Sequence, residues 1–584
     1  MSKTERNYSY YILRYSGVIL FLALWQILPM IGIVNSQFIP PLSEVLVQVY
    51  SLWVYNALFT SIMVSLWRVV IGLIIASIIA IPVGFILGGW FNNFADVLDP
   101  LFRIFGQVNP VSLMPIFILF FGMGEIAKLA VVAWVCLWPV LYNTILGAKS
   151  VDKLLIKTAF SMKVSNWQMF KKVLLPASEP FIFAGLRVGV EMAFFMLIAV
   201  EMLGASAGLG VIYHTSAMNN QIPRMYAAGI FVVVLGVALN RSLIYIQNKL
   251  FFWKEPDRIF SFAKWKKEST KFGRVQIKIL TIIIVIIIGI GSYEVHFSNS
   301  SDFTGRYNTI TDHMNMKDMN MDMEFRGDRF MKSRKNTFYK FLVIAIFLGI
   351  WEISSRLQIV DTQFIPSFSS VIASLWDMLI TQNLMLSIAI SVERALGGFF
   401  ISILIGIPLG FLLGGWFSKL DLVAEPVIEI FSQINPFLLF HVFILILGIG
   451  ESTKIAVIAW TCIWPIMFNT IHGIRNMDSL ILKAGRGFGL GRWKLFHKVV
   501  IPSVLPSLFV GLRISAGYSF FMLIAAEMMG ASSGLGWLLL SYQQIYDIRK
   551  IFATAIVIAF LGLLMDILIK FIQNRFVVNE IKSN

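Results

Sequence analysis

The sequence predicts an all-α polytopic membrane protein built from two like units in tandem. Three observations carry that reading. First, the chain matches itself when shifted by 326 positions. Trp25 falls on Trp351, Gly88-Gly89-Trp90-Phe91 on Gly414-Gly415-Trp416-Phe417, and Phe194 to Ala199 recurs letter for letter at Phe520 to Ala525; 351−25, 414−88 and 520−194 all equal 326. A period that long is no solenoid repeat and points to two whole units paired around a shared axis. Second, 58% of the residues are hydrophobic and 14% charged, far from the balance of soluble domains. Third, the Lys and Arg behind the net charge of +16 gather in a few loops. That is a topology signal, not the continuous basic face a nucleic acid requires.

From the N-terminus, Met1 to Arg14 is polar and aromatic, and no small-residue cleavage site follows the first apolar stretch. That stretch is read as a retained span and not a signal peptide. Candidate spans lie near 17–34, 61–88, 101–121, 126–146, 181–203 and 226–247, and again 326 positions further on. The pair therefore carries about 12 transmembrane helices, judged by the ~20 apolar residues a crossing needs. Cys136 and Cys462, again 326 apart (462−136), each stand two residues before a Trp-Pro pair in an apolar run. They read as small buried hydrophobes, since single thiols build neither a disulfide framework nor a zinc site.

The fourth and fifth spans of each copy flank a basic loop. One holds Lys149, Lys153, Lys157, Lys163, Lys171 and Lys172; the other holds Arg475, Lys483, Arg486, Arg492, Lys494 and Lys498. Both loops are expected in the cytoplasm, and with four spans before each loop, so are the N- and C-termini.

The first unit is assigned to 1–254 and the second to 331–584; 255–330 has no counterpart in the repeat. This linker contains an extra apolar segment, 279–290, followed by a polar tract holding Met314, Met316, Met319, Met321 and Met323. If 279–290 crossed, the two basic loops would face opposite sides, so the parity of spans favours a segment that does not cross. Thioethers suit Cu(I), but only His313 and carboxylates accompany these sulfurs. The tract reads as a low-complexity linker, and no metal site is expected.

Each basic loop also carries a pattern. Trp167, Phe170, Val173 and Leu174 recur as Trp493, Phe496, Val499 and Val500, with Lys171 and Lys172 opposite His497 and Lys498, and with Pro176 and Pro502 closing the runs. The spacing i, i+3, i+6, i+7 puts an apolar stripe on one face of a short helix and Lys on the other, and the prolines are expected to stop that helix. Such a helix fits either a soluble partner's grip or the lipid surface.

These loops resemble those of binding-protein-dependent ABC importer permeases. The family's Ala-x-x-x-Gly-x9-Ile-x-Leu-Pro pattern is similar to Ala484, Gly489, Val499 and Ile501-Pro502. The nitrate/sulfonate/taurine branch looks closest, through Gly511-Leu512-Arg513, Ala525-Ala526-Glu527-Met528 and Ala531 to Gly536, matched in copy one by Gly185-Leu186-Arg187, Glu201-Met202 and Ala205 to Gly210. The resemblance implies two fused six-helix type I permease units in a bacterial cytoplasmic (inner) membrane. It implies two cytoplasmic ABC ATPase subunits that carry ATP and Mg, an extracytoplasmic solute-binding protein, and no cofactor on this chain. The family's loop glutamate is Lys157 and Lys483 here, and its glycine is Lys163 in copy one, so copy one is expected to be the weaker docking site. No Gly-Lys dipeptide occurs, so a phosphate-cradling G-x-x-x-x-G-K-[ST] loop is absent. The chain is expected to be no enzyme.

Ionisable and polar groups at membrane depth default to functional hypotheses. Glu201 and Glu527 match in the fifth spans; Gln107-Val-Asn109-Pro110 and Gln433-Ile-Asn435-Pro436 match in the third; His441 stands where copy one has Pro115. Each is a candidate for the solute pathway, with interhelical packing as the competing role. Arg68 and Arg394 are expected to snorkel to the outer boundary. A secondary transporter of two parallel repeats is the competing class. It would need mid-depth carboxylates, which only Glu191 and Asp566 offer, without acidic equivalents in the other copy. Substrate identity is open: a small oxyanion follows from the resemblance, with a vitamin precursor as the alternative.

Overall fold

A computed structural model describes residues 3–55, 58–90, 92–108, 110–122, 124–162, 164–250, 332–381, 384–416, 418–477 and 479–582. The 279–290 segment, the methionine tract, Lys163, Asn109 and the side chain of Gln107 lie outside the described residues.

Copy one runs α1 (Lys3–Met30), α2 (Leu42–Tyr55), α3 (Leu58–Phe85), α4 (Asn92–Gln107), α5 (Pro110–Phe121), α6 (Glu125–Lys149), α7 (Lys153–Ser161), α8 (Asn166–Met169), α9 (Leu175–Gly204), α10 (Leu209–Met218) and α11 (Ile222–Leu250). Copy two repeats the series as α12 (Lys332–Arg356), α13 (Phe368–Thr381), α14 (Leu384–Phe411), α15 (Ser418–Ser432), α16 (Pro436–Leu447), α17 (Glu451–Arg475), α18 (Ser479–Gly487), α19 (Arg492–Leu495), α20 (Ile501–Gly530), α21 (Leu535–Gln544) and α22 (Ile548–Lys582). No strand is present among the described residues.

Eight of these helices are long and apolar enough to cross a membrane, or up to ten if each bent pair counts as one span. The expected number was about 12 by the ~20-residue rule. The shortfall lies at the first span of each copy. In copy one only Ser16–Met30 is apolar, which is too short to qualify. The third spans do not run straight. α4 and α5 meet at 85°, and α15 and α16 at 95°. Each break falls at the Asn-Pro pair, where the proline lacks the N–H that would continue the preceding helix. Asn435 shows how the second half restarts: its side chain caps α16 by accepting from Phe437 N at 3.0 Å, satisfying one of the donors a helix start leaves open.

The two copies exchange their first helices. α1 packs on α15 of copy two and α12 on α4 of copy one. Phe21 meets Phe431 edge-on at 5.0 Å, and Phe347 meets Phe105 edge-on at 5.3 Å. The second pair is the image of the first (347−21 and 431−105 both equal 326). Reciprocal pairs of this kind define a pseudo-twofold. The approach is close: a Cβ on Gly17 would collide with the carbonyl of Val423. At the axis, α9 and α20 meet through the repeated Phe-Phe-Met-Leu-Ile-Ala run. Phe195 contacts its own equivalent, Phe521, at 5.1 Å, and Met196 to Ile198 and Met522 to Ile524 are wholly buried behind them. Side chains closed in from all sides tolerate little change in volume, which accounts for letter-for-letter identity there.

Candidate functional site

The basic loops form a continuation of the fifth spans. α8 passes through a π-helical turn, Phe170–Leu174, straight into α9, and α19 through Phe496–Val500 into α20. Pro176 and Pro502 therefore do not stop these helices, contrary to the reading from sequence. Each proline occupies the first turn of its helix, where a missing N–H costs little. The widened turn before it is closed by Leu175 N donating to Phe170 O and Ile501 N to Phe496 O, the five-residue bond of a π-bulge.

The apolar stripe splits in two. Phe170 and Phe496 turn inward and pack edge-on against Phe85 and Phe411, at 5.0 and 5.2 Å. Val173 and Val499 are half-buried behind them. Trp167 and Trp493 stack on those phenylalanines at 5.7 and 6.1 Å but stay 69% exposed, each of them. Lys171, Lys172 and Lys498 are exposed around them, and Gly489 turns the chain before α19 with φ +71°. In copy two Trp493 also leans on His497, at 4.5 Å.

At the opposite end of the same helices each copy holds a charged cluster, buried throughout in copy one and open to the surface at Glu451 in copy two. Glu201 is 1% exposed and accepts from Ser65 Oγ (2.7 Å), Arg68 Nη1 (2.6 Å) and Gly210 N (2.8 Å). Arg68, also 1% exposed, turns its other edge to Glu125 at 2.7 and 2.8 Å, and Glu125 takes Lys128 at 2.7 Å. Copy two repeats the set with Ser391, Arg394, Glu451, Lys454, Glu527 and Gly536: Arg394 to Glu527 is 2.7 Å, Ser391 to Glu527 2.8 Å and Gly536 N to Glu527 2.8 Å. Two cations and two anions make each cluster neutral. The arginines do not snorkel; a guanidinium with carboxylates on both edges is better placed inside.

The cluster fastens α10 and α21. Arg68 Nη1 donates to Ala207 O at 2.8 Å and Leu209 N donates to Ser65 Oγ at 3.0 Å; Arg394 Nη1 and Leu535 N do the same with Ser533 O (2.7 Å) and Ser391 Oγ (2.9 Å). The first backbone donors of each short helix, open by geometry, are thus taken by groups from α3 and α9, or α14 and α20. Gly208 and Gly534 stand at φ +134° and +110°, and a Cβ on either would fall into the glutamate carboxyl group. Gly534→Ala is therefore expected to lower the melting temperature of the purified protein by several degrees, the size of a strained positive-φ substitution plus a steric clash. An unchanged melting temperature would show that the loop yields.

Among the sequence candidates, Glu201 and Glu527 are thus brought into the clusters of their own copies. Asn435 bridges the copies, its Nδ2 donating to Phe194 O at 3.3 Å and Phe195 O at 3.1 Å. Gln433 is half-buried just before the α15–α16 break. His441 faces His214 of copy one, ring centroids 5.6 Å apart. Cys136 and Cys462 are fully buried, each thiol on a carbonyl of the fifth span. The sequence reading missed Glu125, Lys128, Glu451 and Lys454. The repeat itself would have found them, since 451−125 and 454−128 equal 326. Asp566, one carboxylate the competing class requires, pairs with Arg513 at 3.4 Å and with Lys570.

Comparison with known proteins agrees with this architecture. The sulfonate transport permease SsuC of Bacillus subtilis is 27% identical over 234 residues, covering 40% of this chain and 84% of the relative. The taurine transport system permease TauC of Escherichia coli is 26% identical over 237 residues, covering 40% of this chain and 86% of the relative. The nitrate import permease NrtB of Synechocystis is 28% identical over 243 residues, covering 40% and 86%. Each relative is about one unit long. The family model for the inner membrane component of binding-protein-dependent transport systems matches twice, over residues 72–251 and 406–578. The chain belongs to that family of multi-pass membrane permeases and carries two of its units in one polypeptide.

Proposed function

We propose that this chain is the complete transmembrane pathway of an ATP-driven importer for a small oxyanion, coupled to two separate ATPase subunits at its basic loops. The observation that carries the reading is the pair Trp167 and Trp493. At equivalent positions in both copies a large apolar side chain stays 69% exposed, held by the phenylalanine beneath it, in a segment that also carries exposed lysines. An exposed indole anchor is the kind of side chain that dominates protein-docking hot spots. The ATPase subunits would hold ATP and Mg and would sit on the cytoplasmic side, as would both termini. A solute-binding protein would deliver the solute from outside.

The mechanism follows from the continuity of loop and span. Each loop helix runs through its π-turn into α9 or α20, so movement imposed on Trp167 and Trp493 passes along a continuous helical rod to the axis, where Phe195 and Phe521 meet. The π-turn is the compliant point on that rod. At the far end the neutral clusters hold α10 and α21 to the same rods, so the short helices travel with them. The oxyanion class is supported by the named cargo of the relatives: sulfonate, taurine and nitrate.

The test is purification of the tagged full chain from its native membrane. An ATPase carrying a phosphate-binding loop is expected to copurify, and the complex is expected to hydrolyse ATP. Recovery of the chain alone, under mild detergent and crosslinking, would overturn the coupling.

A further inference from the structure

The two halves of the axial region are unlike, and the difference is concentrated on one contact. In copy one α10 carries Tyr213 and His214, and they face His441 on α16 of copy two. At the equivalent contact, α21 carries Leu539 and Leu540 and α5 carries Pro115. One half therefore presents imidazoles where the other presents hydrocarbon.

The position of His441 follows from its neighbours. Phe195 and Phe521 are equivalent residues in contact, which places them on the pseudo-twofold axis. Phe437 packs against Phe195 at 5.2 Å. His441 follows Phe437 by one helical turn, on the same face of α16, about 6 Å further along. It thus stands beside the axis. Tyr213 Oη donates to Leu438 O, clamping α10 to α16 and holding His214 against His441 with the rings at 86°. Both imidazoles are only partly buried, and the backbone of Phe437, one turn back on α16, lies within reach of the His441 ring. The adjoining Arg68 cluster is neutral, so it sets no repulsive field against an anion.

We propose that His214 and His441 form an off-axis binding site for the oxyanion head of the transported solute, with Tyr213 as the residue that positions it. The proposal rests on the oxyanion reading above. An oxyanion offers several lone pairs to two nearby rings, and each imidazole donates from one ring nitrogen even when neutral. The equivalent contact cannot form this site, because copy two carries Leu539 and Leu540 in place of Tyr213 and His214. Fusing the copies makes this asymmetry permanent.

The test measures direct binding of taurine, methanesulfonate and nitrate to the full chain copurified with its ATPase, without a solute-binding protein. His441→Leu and His214→Leu are expected to raise the dissociation constant about tenfold, the loss of one charge-assisted hydrogen bond. The second places in copy one the residue copy two already carries. His441→Gln, which keeps a donor, is expected to stay within about threefold. Wild-type binding that both Leu variants retain in full would overturn the site while leaving the oxyanion reading intact. A wild-type complex that hydrolyses ATP but binds none of the three anions would overturn the oxyanion reading and the site together. Equal losses in the Gln and Leu variants, with altered basal ATPase activity, would assign the histidines to packing and overturn the proposal.

Discussion

Glu201→Leu is expected to destabilise the protein by about 3–5 kcal/mol, the usual consequence of removing one partner from a buried ion pair. The loss leaves Arg68 with one carboxylate instead of two and strips Gly210 N and Ser65 Oγ of their acceptor. Glu201→Gln is expected to lose less, but not nothing. Both carboxyl oxygens accept hydrogen bonds, from Arg68 and Ser65 on one and from Gly210 N on the other. A Gln amide must turn its NH2 toward one of those donors. About 1–3 kcal/mol is the scale of such a mismatch. Glu527 should follow the same order more mildly, because Glu451 in that cluster has a side chain 57% exposed where Glu125 is 13% exposed, and water there can compensate. Thermal unfolding of the purified variants checks the ranking. Wild-type melting temperatures for both Leu variants would remove the clusters from any structural role. The double change Arg68→Leu with Glu201→Leu should recover part of the loss, since the bare charge is then gone as well.

Trp493→Ala is expected to cut ATP-driven uptake by more than tenfold while the chain inserts and melts normally. The indole is mostly exposed, so its removal leaves no cavity. An anchor residue at a docking surface typically carries 2 kcal/mol or more, roughly thirtyfold in affinity. Trp167→Ala is expected to be milder, because copy one departs further from the family loop, with Lys163 in place of its glycine. Uptake in right-side-out vesicles energised from within, alongside the amount of ATPase that copurifies, checks both. Equal losses would erase the difference between the copies. Full activity in both variants would place these indoles at the lipid surface instead.

The fold class and the repeat were legible because they are one-dimensional properties. Long apolar runs, a constant offset of 326 and lysines gathered in loops are all written along the chain. The Asn-Pro breaks in the third spans were legible for the same reason, since a missing N–H acts locally. The effect of Pro176 was not. It depends on the turn before it, and the π-bulge that accommodates the ring is a choice between two backbone geometries that the residue letters do not distinguish.

The partners of the buried charges were decided by tertiary structure alone. Arg68 lies 57 residues from Glu125 and 133 from Glu201, distances over which no periodicity carries information. An arginine near the end of an apolar run has two outlets, water at the boundary or a carboxylate inside. The choice depends on which helices pack beside it. The exchange of first helices and the meeting of His214 with His441 belong to the same class. By itself the sequence determined that there are two like units, where their third spans break, and which residues are repeated. Tertiary packing decided which repeated residues touch, because contact between distant segments is a property of how the helices are arranged in space and not of any stretch of chain.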